Sequence, residues 1–161
     1  MKAKVKLSAV VDAMDMQSDE THQYLHIPTG EIRAVSDEEF SYAEEDEPLD
    51  DLPDWQKEVV EVAQKVLQTD EYIQLPDKYE IHEYQIMERF CLSIEDDEMR
   101  NDMYNAIKGR GAFRIFKDKI HYYGIEQDWY RYRDDTFYEI AREWCEYNEI
   151  PHIDDRDKQE N

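Results

Sequence analysis

Apolar residues recur at helical spacing over most of this chain, and the breaks in that rhythm mark its strands and loops. Leu7, Val10, Val11 and Met14 share one face of a short helix predicted within residues 5–16. Trp55, Val59, Val62, Ala63, Val66 and Leu67 form a second stripe over 54–68, with Asp54 as its cap. A third covers 80–94 through Ile81, Tyr84, Met87, Phe90, Cys91 and Ile94. Asp96 and Asp97 cap a fourth, carried by Met99, Met103 and Ile107, and Gly109 is placed to end it in the left-handed conformation. Phe113, Phe116 and Ile120 make a fifth, closed by Gly124. Trp129, Tyr130 and Tyr132 then form an aromatic anchor. Asp134 and Asp135 lead into a last helix with Phe137, Ile140, Ala141, Trp144 and Cys145 on its stripe, stopped by Pro151.

The strands are shorter. Tyr24, Leu25 and Ile27 on one side of Pro28-Thr29-Gly30, and Ile32, Ala34 and Val35 on the other, predict a β-hairpin. Tyr72 to Leu75 (YIQL) predicts a third strand beside it, ending at Pro76. Ser36 followed by Glu39 is a capping box, predicting a short helix to about Glu44 anchored by Phe40. The fold class expected is α+β, mainly α: about six helices with a small antiparallel sheet of two or three strands. The organisation expected is a single domain over 1–153, an acidic loop near 44–53, and a mobile charged tail over 154–161.

Composition changes the picture in two ways. With 161 residues, 40% hydrophobic content and twelve tyrosines, the chain can bury a real core and is no disordered polyanion. Its formal charge of −22 keeps it soluble and repels phosphate backbones and anionic membranes at long range. The sharper reading of that charge is a face for a basic partner, or an imitation of nucleic acid. Cys91 and Cys145 sit on apolar faces and read as buried free thiols of a reducing compartment. The start MKAKVKL has no apolar core after it, and no run approaches the roughly 20 apolar residues of a membrane span. A cytoplasmic location and no membrane partner are expected.

No constellation of catalytic, nucleotide-binding or metal-ligating residues emerges, and no cofactor is expected. His22 and His26 fall on one face of the first hairpin strand without an obvious third ligand, so they read as surface histidines. The acidic run through Glu44, Glu45, Asp46, Glu47, Asp50 and Asp51 lacks the central glycine of a calcium loop. His82-Glu83 begins a zincin pattern, but Ile86 stands where the second histidine belongs. Residues 107–133 depart from the rest: seven Lys or Arg against three Asp or Glu give a local +4. Lys108, Arg110, Arg114, Lys117, Arg131 and Arg133 are the candidate anion or partner patch, with aromatic residues interleaved. Pairing of these cations with neighbouring acids is the plain structural alternative. Gly109-Arg110-Gly111 lacks phosphate-loop spacing and follows no strand.

The segments KGRGAFRIFKD, WYRYRDD and IAREWCEYNEI, with YLHIPTGEI, YIQLP and HEYQIMERFC before them, resemble the bacterial uncharacterised protein family 0158. The resemblance runs from about residue 5 to residue 150. Members commonly show a glycine before the final isoleucine, where this chain has Glu149, and that departure bears on how the last helix ends. The resemblance implies one bacterial domain and carries over no catalytic residue. The function expected is a non-enzymatic protein-interaction module with a protein partner, basic if it meets the acidic face. The alternatives are a nucleic-acid-linked role, through the 108–133 patch or through acidic mimicry, and an enzyme whose acid-base site is assembled in space. The sequence leaves the oligomeric state open.

Overall fold

The computed structural model describes residues 2–45 and 48–158. Its elements run β1 (Val5–Lys6), α1 (Leu7–Asp15), β2 (Thr21–His26), β3 (Ile32–Ser36), α2 (Asp37–Glu45), α3 (Asp54–Gln68), β4 (Tyr72–Gln74), α4 (Lys78–Ile81), α5 (Glu83–Leu92), α6 (Asp97–Ala106), α7 (Ala112–Tyr122), α8 (Glu126–Tyr147) and β5 (His152–Ile153), followed by a 3-10 turn, Asp155–Lys158. The fold is α+β and mainly α, as the apolar periodicity predicts. The chain divides into two compact units, Met1–Glu80 with Ile140–Asn161, and Ile81–Glu139.

In the first unit the predicted hairpin forms. β2 pairs antiparallel with β3, Leu25 opposite Ile32 and Thr21 opposite Ser36. Gly30 supplies the positive φ of the connection (76°), and its amide donates back to the His26 carbonyl. β4 adds antiparallel on the other side of β2, with Leu25 opposite Ile73. The capping box closes as the sequence predicts: the Ser36 amide and hydroxyl both donate to Glu39 Oε1, at 2.9 and 2.8 Å, and the Glu39 amide donates back to Ser36 Oγ. α3 lays Val62 and Ala63 on Val35, with Tyr24, Phe40, Val59 and Val66 around them. Trp55 and Leu67 lie off that buried face, and Trp55 is 64% exposed. α3 begins after Pro53, with no side chain capping its first amides, so Asp54 is the first helical residue and not the cap. Of the acidic run, Asp46 and Glu47 lie outside the described residues.

A second sheet, parallel and two-stranded, is not among the elements the periodicity predicts. β1 pairs with β5 through Val5–His152 and Lys6–Ile153, which ties the two ends of the chain together. The segment expected as a mobile tail begins with residues held by side-chain bonds. Arg142 donates to Asp154 at 2.7 Å. Asp155 Oδ1 accepts the Ser8 amide at 3.0 Å, and its other oxygen accepts the Ser8 hydroxyl. Residues 159–161 lie outside the described residues.

The second unit is built on rings. Phe90 of α5 meets Phe116 of α7 and Trp129 and Tyr132 of α8 edge to face, with centroids 5.3–6.0 Å apart, and Phe116 meets Trp129 at 4.8 Å. Met87, Cys91, Met103, Ile107, Ile120 and Phe137 are buried in the same unit. Three helix boundaries differ from the periodicity. The helix expected over 80–94 breaks at His82, which takes φ 54° between α4 and α5. Gly109 has no positive φ; the left-handed residue of that turn is Gly111 (φ 70°), which precedes α7. Residues 126–147 hold no glycine or proline, so the aromatic anchor and the last helix merge into one 22-residue helix.

Candidate functional site

α7 reads AFRIFKDKIHY, and its buried residues are Phe116 and Ile120, on successive turns of one face. Phe113 and Lys117 flank that face and stay exposed. α8 buries Trp129 and Phe137, while Tyr130 and Arg131 lie outward. The two helices therefore edge a groove of about 380 Å³ lined by Phe113, Phe116, Lys117, Trp129, Tyr130 and Arg133, with Glu83 of α5 on its wall. An adjoining hollow of about 420 Å³ is lined by Gln127, Tyr130, Arg131, Arg133 and Asp134. Tyr130, 55% exposed, belongs to both.

The candidate cations separate on this surface. Lys117, Arg131 and Arg133 line the groove or the adjoining hollow, and Lys108, Arg110 and Arg114 line neither. Lys108 stands 4.3 Å over the Tyr104 ring. Arg110 and Arg114 are exposed on the turn before α7 and on its first turn. Arg133 is engaged: its Nε donates to Glu83 Oε1 at 3.0 Å and its guanidinium lies 4.1 Å from the Phe137 ring centre. Lys117 and Arg131 form no ion pair among the described residues. The sequence patch omitted Phe113, Phe116 and Glu83; the alternation of rings and cations in WYRYR was the legible signal, and Glu83 had none.

A third concavity, about 710 Å³, is lined by Asp102, Ile115, Asp118, Lys119, Tyr122 and Tyr123. Lys119 Nζ lies 2.9 and 3.1 Å from the Asp102 carboxylate oxygens, and the Tyr123 hydroxyl donates to Asp102 at 2.5 Å. The Tyr123 and Lys119 hydrogen bonds hold Asp102 below the usual carboxylate range. The same bond to Asp102 pushes Tyr123 up to about 12. Both shifts move away from neutral pH, so this trio is a poor proton shuttle there.

His22 and His26 do not share a ligand. His22 Nε2 meets Asp37 at 3.0 Å, whereas His26 Nδ1 meets Thr29 Oγ1 at 2.7 Å and its ring packs on Tyr72. Among the described residues no three His, Cys, Asp or Glu groups converge in a metal-holding arrangement. Burial pushes the thiols of Cys91 and Cys145 up to about 11, which disfavours the reactive thiolate. Among the described residues no helix is long and apolar enough to cross a membrane.

The sequence pattern of the uncharacterised protein family UPF0158 matches residues 3–160. This chain belongs to that family. A Pseudomonas aeruginosa member, UPF0158 protein PA5073, is 33% identical over 66 residues, 40% of this chain and 43% of that protein. The match therefore spans less than half the length of that relative. No solved structure matches. UPF0158 membership brings no activity with it, so the surfaces just described carry the functional argument.

Proposed function

We propose that this UPF0158 chain is a protein-interaction module, and that the α7–α8 groove is a surface on which it docks a partner. One observation carries the reading: Phe113 and Tyr130 stay 45% and 55% exposed beside Lys117 and Arg131, at the mouth of a groove walled by buried rings. Aromatic and guanidinium side chains around a partly desolvated hollow are the usual makings of an interface hot spot. The mixed charge of the walls favours a protein over a nucleic acid. Glu83 and Asp134 stand among the cations, and a polyphosphate laid along the groove meets carboxylates as well as Lys117 and Arg131. The chain's net charge of −22 opposes phosphate approach further.

The test is capture from bacterial lysate with the wild-type chain and the Lys117→Glu/Arg131→Glu variant, each with and without nuclease. Nuclease-resistant recovery of a defined protein, reduced at least about tenfold by the variant, supports the reading. Recovery abolished by nuclease, or equal recovery by both chains, refutes it.

A further inference from the structure

The groove and the hollow adjoining it at Tyr130 and Arg133 together specify an occupant by three features. Phe113 and Tyr130 at its mouth take an apolar or planar group. Lys117 and Arg131 take anions. Glu83 and Asp134 select against a uniform run of negative charge without such an anchor. The occupant is then an acidic segment carrying a large aromatic side chain.

The first unit of this same chain displays such a segment. Residues 48–58 read PLDDLPDWQKE. Asp50, Asp51, Asp54, Trp55 and Glu58 are all exposed, while the fold is held by Val59, Val62, Ala63 and Val66 beyond them. Trp55 stacks on no ring among the described residues, and 64% of it faces solvent. A tryptophan left that open costs hydration that burial in a partner recovers. A turn from Leu49 to Leu52, closed by a 3.0 Å backbone bond, and Pro53 fix the approach, so little ordering entropy is lost on docking. Both units are net acidic, the first much more so. Unit Ile81–Glu139 has nine Lys or Arg against thirteen Asp or Glu, net −4, which leaves −18 on the other unit.

Resting on the reading of the groove as a docking surface, we propose that the α7–α8 groove of one copy receives the Trp55 segment of a second copy. The two surfaces differ, so the contact is head to tail and repeats into a ring or an open chain. Salt then acts in two directions. At about 0.01 M the Debye length is about 30 Å and the −22 of each copy keeps them apart. Near 0.15 M it falls to about 8 Å, which screens the general repulsion while Lys117 and Arg131 still meet carboxylates at contact. Association therefore peaks at intermediate salt.

The experiment is sedimentation velocity on the full chain over a concentration series, with circular dichroism confirming that each variant is folded. The wild type is expected to grow beyond a dimer. Trp55→Ala and Lys117→Glu/Arg131→Glu are each expected to stay monomeric. Mixed in equal amounts they are expected to stop at a dimer, because one copy keeps the groove and the other keeps the tryptophan. A wild type that is monomeric up to its solubility limit overturns the proposal, as does association unaffected by Trp55→Ala. A fluorescein-labelled peptide of residues 48–58, titrated onto the Trp55→Ala chain by anisotropy, separates the two readings. Peptide binding lost in the groove variant supports the groove as a docking surface even where copies fail to associate. No binding overturns the fit between groove and segment, and the lysate capture then decides the groove alone.

Discussion

Glu149→Gly should make this protein more stable. α8 ends in a Schellman motif: the Glu149 amide donates to Glu146 O at 3.2 Å, and the Ile150 amide donates back to Cys145 O at 2.8 Å. That pattern requires the residue between to be left-handed, and Glu149 takes φ 55°. α7 closes in the same way, Gly124 donating to His121 O and Ile125 to Ile120 O, but there the left-handed residue is a glycine at φ 67°. Two helices thus share one ending and differ in what they place at its strained position. Ile150, only 3% exposed, and Pro151 hold the chain in place after α8, so Glu149 cannot relax without losing them.

The magnitude follows from three terms. Left-handed backbone costs an L-residue roughly 1–2 kcal/mol. Glycine returns roughly 0.4–1 kcal/mol of that through its freer unfolded state. Removing a carboxylate from the negative end of the helix dipole adds roughly 0.3–1 kcal/mol. The net is a gain of about 1 kcal/mol, or a Tm rise of about 2–4 °C for a chain of this size. Both backbone bonds of Glu149, its amide to Glu146 O and its carbonyl from Lys2 Nζ at 3.0 Å, survive the substitution. Urea unfolding measures the midpoint and slope. Glu149→Ala is the control, since it removes the carboxylate and keeps the strain. If Glu149→Gly is no more stable than Glu149→Ala, the backbone argument is wrong.

Other perturbations test other parts of the fold. Phe116→Ala removes a ring that is 1% exposed and packed on Phe90 and Trp129, and should cost about 3–5 kcal/mol by denaturant titration. Asp155→Asn should weaken the contact with Ser8 by roughly 0.5–2 kcal/mol at neutral pH, read as faster amide exchange in α1 and the β1–β5 pair. Burial alone raises the Asp155 pKa, but the Ser8 hydroxyl and amide outweigh it, so the carboxyl lies below its ordinary 3.8. Stability from this group is therefore present above 3.8 and is lost as pH falls through the lower folded-state value, and Asp155→Asn should remove that step from the acid profile. Tyr123 has the opposite sign: its pKa is raised from 10.0 to about 12, so its contribution is complete below 10 and is lost as pH rises through 12. Ultraviolet titration should show a tyrosine ionising near 12 that Tyr123→Phe removes.

What the sequence disclosed and what it withheld divide by range. The hairpin, the third strand, the capping box and the Asp96 cap rest on residues within a few positions of each other, and each formed where its local chemistry placed it. The β1–β5 pair joins residues 147 apart in two-residue strands, too short for any periodicity to announce. His82 broke a helix with no glycine or proline to mark it. The patch from Lys108 to Arg133 was legible as charge but not as a surface, because helical phase decides which cations face together. Lys117 lines the groove, Arg131 the hollow beside it, and Arg133 with Tyr130 both, while Lys119 turns to Asp102 and Lys108 lies on Tyr104. The same phase argument applies to Trp55. A stripe drawn from 55 to 67 counts it as core, yet the packing surface of α3 is set by Val35 and Phe40 and reaches only as far as Val59. Trp55 sits one turn before Val59 on α3 and is 64% exposed, so spacing alone places it on a stripe that packing does not extend to it.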